Sequence, residues 1–272
     1  MNFQPSPAET DTEFELDWPA MLDRAADGCG MRAVYQPIAD LAGGHVTGYE
    51  ALIRFVGYPV RNPNPWFAAA HVHGDNPELQ ATALRIALSE RATLPPGCFL
   101  TVNVGPEALD HPGILRVWHD EGDLHGVVIE LTESLPSEDQ AALEPALREL
   151  RRAGARLAAD YTDNDHARLR ALRPDLIKLP HDLTTGITEN PAKRAAVTAA
   201  KAFAAGIDAH VLAQGIETRA ELETLITLGV PLGQGYHLGR PARPWAAIGQ
   251  GSAATFERRP ERSAATPDSR RS

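Results

Sequence analysis

The chain has 272 residues, 43% of them hydrophobic and 23% charged, with a formal net charge of −10. That length and apolar share suffice for one sizeable core, and a (β/α)8 barrel commonly takes about 250 residues as a single domain. The acidic balance argues against binding to a nucleic-acid backbone, and no apolar run reaches the ~18 residues that a membrane helix needs.

From the N-terminus, residues 1–15 are polar, with proline and acidic residues, and read as a disordered tail. Met1-Asn2-Phe3-Gln4-Pro5 lacks the basic start and apolar stretch of a signal peptide, so the expected location is the cytoplasm, away from any membrane. Cys29 and Cys98 carry no metal-type spacing and read as free thiols in that reducing compartment. Trp18 to Gly28 reads as an entry helix.

Tyr35-Gln36-Pro37-Ile38 then reads as a strand, Ala39 to His45 as a hairpin turn, and Val46 to Arg54 as a second strand. That second strand sets Glu50 inside an apolar run. A buried carboxylate is costly to desolvate, so Glu50 needs a metal, an arginine or a set of donors. From Glu78 to Arg91, Leu79, Ala83, Ile86 and Ala87 recur at helical spacing and read as core contacts.

The strand pattern then repeats. Phe99-Leu100-Thr101-Val102 ends in Asn103, Val127-Val128-Ile129 in Glu130, and Leu157-Ala158-Ala159 in Asp160. Leu176-Ile177 leads to Lys178, Val211-Leu212-Ala213 to Gln214, and Leu232-Gly233 to Gln234. Short apolar runs alternating with helical stretches predict βα units, and a polar side chain after each run predicts the C-terminal face of a (β/α)8 barrel. Any single one of these polar groups could be an ordinary cap; seven in order suggest a site.

These residues resemble a known family, the EAL domains that hydrolyse the bacterial second messenger cyclic di-GMP to linear pGpG. Glu50-Ala51-Leu52 spells its name. The resemblance also rests on Val102-Asn103-Val104, Glu130-Leu131-Thr132-Glu133-Ser134, Asp175-Leu176-Ile177-Lys178, Ala213-Gln214-Gly215-Ile216-Glu217-Thr218 and Gln234-Gly235-Tyr236-His237-Leu238-Gly239-Arg240-Pro241. It spans roughly residues 20–245, and the domain is placed at 16–250 with a second tail, rich in Arg, Ser, Pro and Glu, at 251–272. No attached sensor or cyclase domain is visible. Leu172-Arg173-Pro174-Asp175-Leu176-Ile177-Lys178-Leu179 looks most like actinobacterial members.

The resemblance implies a TIM-like barrel whose first strand runs antiparallel to the rest. It implies Mg²⁺ or Mn²⁺ held by Glu50, Asn103, Glu130 and Asp160, the hard oxygen donors such ions take. It implies ligand contacts from Gln36, Arg54 and Gln234, with Arg54 on a phosphate, and Lys178 beside the attacking water. All of these residues are retained.

The departures lie elsewhere. Family members carry Asp-Asp after the fifth strand; here Asp160 is the first and Tyr161 stands in place of the second. An alternative register makes Asp160 the second and Ala159 the lost first. A phenol, protonated at neutral pH, is a poor metal ligand, so the second metal site is expected to be lost. Gln214 replaces the glutamate proposed as base or ligand, and an amide cannot take a proton. General-base assistance is worth about 10²- to 10⁴-fold, or roughly 3–5 kcal/mol of transition-state stabilisation.

Tyr161 to Ala167 replaces a longer glycine-rich loop, which Glu133 would anchor, and Pro180 replaces an aspartate. The sequence therefore reads as a degenerate EAL domain, a cyclic di-GMP sensor or a module for an unidentified protein partner; the alternative is a weak phosphodiesterase. A homodimer remains compatible with the family. His71 and His73 read as helix residues rather than metal ligands, Asp163 and Asp165 as loop residues without the glycine and terminal glutamate of a calcium loop, and Tyr236 and Trp245 as packing aromatics rather than base-stacking ones.

Overall fold

A computed structural model describes residues 16–57, 62–74, 76–131, 140–162 and 166–248. In chain order the elements are α1 (Trp18–Ala26), β1 (Met31–Asp40), β2 (His45–Phe55), α2 (Pro63–His73), α3 (Asn76–Leu88), β3 (Phe99–Val104), α4 (Pro112–Glu121) and β4 (Val127–Leu131). There follow α5 (Gln140–Arg152), β5 (Arg156–Asp160), α6 (His166–Leu172), β6 (Leu176–Leu179), α7 (His181–Thr184), α8 (Pro191–Ala205), β7 (His210–Ala213), α9 (Arg219–Thr227) and β8 (Leu232–Gly233). Both predicted tails, Glu133, Asp163 and Asp165 lie outside the described residues.

Local chemistry explains where helices start. Pro63, Pro112 and Pro191 each open a helix, where the missing N–H costs nothing and the ring presets φ. Asn62 and Asn190 cap α2 and α8 with side-chain oxygens, and Thr218 and Glu221 form a reciprocal capping box on α9. α2 ends on Gly74, whose φ of 83° suits a residue without a Cβ.

The eight strands close into a barrel in sequence order. β1 pairs antiparallel with both β2 and β8, and every other neighbouring pair is parallel. The expected hairpin turn over 39–45 is shorter in the structure: after a register shift between Ile38 and Ala39, Ala39 pairs with Gly233 and Asp40 with Leu232. The last two residues of β1 thus close the barrel, a long-range pairing that no local pattern reveals.

Alternation along the strands divides the interior into two layers. Ile38, Phe99, Val128, Ala158, Leu176 and Leu212 form an apolar floor inside the barrel. Phe99 fills it because Gly48 faces the ring; a Cβ there would lie 2.6 Å from a ring atom. Two residues further along five strands, toward the C-terminal face of the parallel strands, come Asn103's neighbour Thr101, Glu130, Asp160, Lys178 and Gln214. The complementary positions, among them Leu157, Ala159, Ile177, Val211 and Ala213, pack outward against the helices. A separate cluster under α1 joins Leu22, Trp66 and Leu79, with Phe55 stacked on Trp66 at 4.0 Å between centroids.

Candidate functional site

Glu50 enters the barrel mouth from β2, beside Gln36 of β1. Its Oε1 accepts from Lys178 Nζ at 3.0 Å and its Oε2 from Gln234 Nε2 at 2.5 Å. Lys178 also donates to Glu130 Oε2 at 2.5 Å, so one ammonium bridges two carboxylates. All three side chains are buried, at 2–6% exposure. Asn103, exposed at the end of β3, reaches Glu50 Oε1 at 3.5 Å.

Burial raises the Glu50 carboxyl, but the Lys178 charge and hydrogen bonds from Gln234, Lys178 and Asn103 bring it below the ordinary carboxylate range. Glu130 goes the other way. Burial, opposed by Lys178 and reinforced by the charges of Glu50 and Asp160, pushes it up to about 7. Burial also raises Asp160, with Lys178 opposing. For Lys178 burial favours the neutral amine, yet Glu130 and Glu50 outweigh it and hold the ammonium firmly charged.

Asp160 sits in register with Lys178 on β6 and faces the barrel interior as Ala158 does. Ala159 faces the helices with Leu157, so the register in which Ala159 replaces an inward aspartate does not match the alternation. Tyr161 also turns outward. Its ring is 4% exposed in the helix-side core, and its hydroxyl meets His166 Nε2 at 3.3 Å, with His166 stacked on Phe203. The phenol is therefore not a substitute ligand; it has become a packing residue. Arg168 fastens the same turn by donating to the Asp160 carbonyl at 3.1 Å.

Gln214, at the end of β7, completes the Lys178 shell. With Oε1 accepting from Lys178 Nζ at 3.2 Å, its Nε2 donates to the Leu179 carbonyl at 3.3 Å; the opposite orientation sets donor against donor. Lys178 then has a partner for each of its three N–H bonds. Pro180, which follows, caps α7 with φ −64°.

Gln36 is tied in at both ends: its Nε2 donates to the Gly239 carbonyl and its Oε1 accepts from Gln234 Nε2, both at 3.0 Å, and each atom keeps capacity for one more hydrogen bond. It braces the closing segment. Tyr236 is not packed but 51% exposed, with the Arg240 guanidinium 4.3 Å from its ring centre. Trp245 does pack, against Tyr35 and Tyr49, and His71 and His73 lie at the exposed end of α2.

Beside Glu50 opens a cavity of about 800 Å³, lined by Arg54, Phe67, Gln80, Asn103 and Glu107 among others. Arg54 donates to the carbonyl of Ile53 at 2.8 Å. On the cavity wall, Glu107 Oε1 accepts from Asn76 at 2.7 Å and Gln80 at 2.8 Å. Sequence reading missed this polar trio, because Asn76 and Gln80 are lone polar residues in an apolar helical pattern and Glu107 lies on the turn after β3.

Oxygen donors for one divalent ion are present: the carboxylates of Glu50, Glu130 and Asp160 and the amide of Asn103, with a buried Gln234 Oε1 that has no donor. They are not a ready-made cage. Among the described residues no three His, Cys, Asp or Glu side chains converge on one point, because Lys178 occupies the gap between Glu50 and Glu130. Tyr161 faces away from these donors, and the Gln214 amide is turned to Lys178 and Leu179.

The family model described as the EAL domain matches residues 20–241. The chain belongs to the EAL domain family. Among its relatives, an uncharacterized signaling protein of Caulobacter vibrioides is 29% identical over 76% of this chain and 27% of that protein. A cyclic di-GMP phosphodiesterase of Pseudomonas aeruginosa is 28% identical over 79% of this chain and 39% of that protein. The chain thus spans well under half the length of these relatives.

Among solved structures, the EAL domain of Xanthomonas citri FimX in complex with c-diGMP has a TM-score of 0.74 at 18% identity, covering 85% of this chain and 96% of that one. That likeness shows the fold alone. A calcium/cy-diGMP complex of Klebsiella pneumoniae BlrP1 has a TM-score of 0.64 at 27% identity, covering 82% and 57%.

Proposed function

We propose that this EAL domain binds cyclic di-GMP beside a single divalent cation and hydrolyses it at or near background, serving cyclic di-GMP signalling as a ligand sensor or protein-interaction module. The observation that carries the reading is Gln214: an amide, committed to Lys178 and Leu179, stands where a proton acceptor is required. The outward turn of Tyr161 supports the same reading, because its phenol points away from the oxygen donors of the mouth.

Electrostatics support the cation. Three carboxylates face one ammonium, so the mouth is negative even with Glu130 near neutrality, and a phosphodiester anion is repelled until a cation joins it. When bound, the ion supplies charge neutralisation for the ligand phosphate, and Arg54 at the cavity edge supplies a directional donor.

The test pairs calorimetry with product analysis. Titrating cyclic di-GMP into the protein with Mg²⁺ should give saturable heat that chelation abolishes, while linear product with Mg²⁺ or Mn²⁺ stays at background. Brisk hydrolysis lost in Glu50→Ala would establish the weak-phosphodiesterase alternative or better. Absence of heat would leave the protein-interaction module.

A further inference from the structure

The gap between Glu50 and Glu130 is filled by a side chain of the protein itself. Lys178 Nζ lies 3.0 Å from Glu50 Oε1 and 2.5 Å from Glu130 Oε2, and its third N–H goes to Gln214. Two cations drawing on these carboxylates at close range repel each other, the more strongly as the surrounding dielectric falls. A divalent ion drawing on Glu50 and Glu130 therefore competes with the ammonium for them.

We propose that Lys178 is an internal rival of the divalent ion, and that Gln214 weights the contest toward the lysine-in, metal-out state. The inference rests on the reading that Glu50, Asn103, Glu130 and Asp160 are the ion's donors. When Lys178 surrenders the two carboxylates, the partner it retains is the Gln214 amide oxygen. A neutral acceptor holds an ammonium less strongly than a carboxylate does. Gln214 thus makes displacement more costly than an acidic residue at that position would, and the ligand-free domain binds its cation weakly. Linkage then requires that whatever stabilises the displaced lysine or the bound ion, an anionic ligand included, raises cation affinity reciprocally.

The experiment uses Mn²⁺ alone, without nucleotide, so that it is independent of whether cyclic di-GMP binds. Mn²⁺ uptake is followed by electron paramagnetic resonance on wild type, Lys178→Met and Gln214→Glu. Expected are weak uptake by wild type and at least tenfold tighter uptake by Lys178→Met, with Gln214→Glu also tighter than wild type. Equal or weaker uptake by both variants overturns the rivalry while leaving the one-ion reading intact; no uptake by any of the three overturns both. Should Lys178→Met fail to fold, wild type decides. With ¹⁵N-labelled lysine, the buried Lys178 ammonium should give a protected signal that Mg²⁺ titration removes, and a signal unmoved at saturation with Mg²⁺ overturns the proposal.

Discussion

The two halves of the barrel mouth differ in how they treat charge. On the β2–β4 side, Glu50 and Asn103 border the cavity with Arg54, and Glu50 and Glu130 are met by a lysine reaching across from β6. On the β5–β7 side Asp160 stays acidic, Tyr161 packs in the helix-side core and Gln214 is a neutral brace. The first half is electrostatically demanding and needs a counter-ion, whether ammonium or metal. The second half is packed, with Tyr161 on His166 and Gln214 on Lys178 and Leu179.

The largest effect should come from breaking the demanding half. Lys178→Ala leaves Glu50 and Glu130 buried without their counter-charge, and loss of one partner of such a network typically costs about 3–5 kcal/mol. Urea denaturation with chelator present reads it; a loss below about 1 kcal/mol would mean that the carboxylates are hydrated or protonated without penalty.

Attacking the packed half comes next. Tyr161→Asp puts a charge into the helix-side core beside His166 and should cost several kcal/mol, of the order found for uncompensated buried groups. For the same reason Tyr161→Asp with Gln214→Glu should yield at most a trace of linear product, since the new carboxylate starts on the wrong face of β5. Robust hydrolysis by that double variant would show the turn after Asp160 to be far more pliable than its packing implies.

The Glu130 carboxyl offers a subtler probe in metal-free protein. Its value in the fold, about 7, lies above the ordinary 4.5, so between these the folded protein keeps a proton that the unfolded chain releases. Stability is therefore highest at the acid side of that window and falls as pH rises through about 7. Relative to Glu130→Gln, which cannot titrate, wild type should lose up to about 3 kcal/mol across the window. Parallel pH profiles for the two proteins would remove the raised carboxyl from the account.

The smallest effect concerns the cavity edge. Arg54→Ala should weaken cyclic di-GMP binding at least tenfold, about 1.4 kcal/mol, without changing Mn²⁺ uptake. Unchanged affinity by calorimetry would place the ligand away from the β2 side.

Much of this was legible in the chain. The strand-end residues, the order of the units and the antiparallel first strand follow from short apolar runs, their spacing and the family resemblance. The inward face at Asp160 could be counted along β5, because strand alternation is a local property. Tertiary structure decided the rest. The bracing role of Gln36 is one such case, because its bonds to Gly239 and Gln234 exist only once β1 meets them across the closed barrel. Tyr161 is a missing ligand in the sequence and a core residue in the fold, because only the packed His166 and Phe203 show where its ring goes. Lys178 likewise reads as a lone cation in the sequence, whereas its placement between Glu50 and Glu130 depends on three strands far apart in the chain converging on one desolvated point, where Coulomb energy rather than local propensity determines the partners.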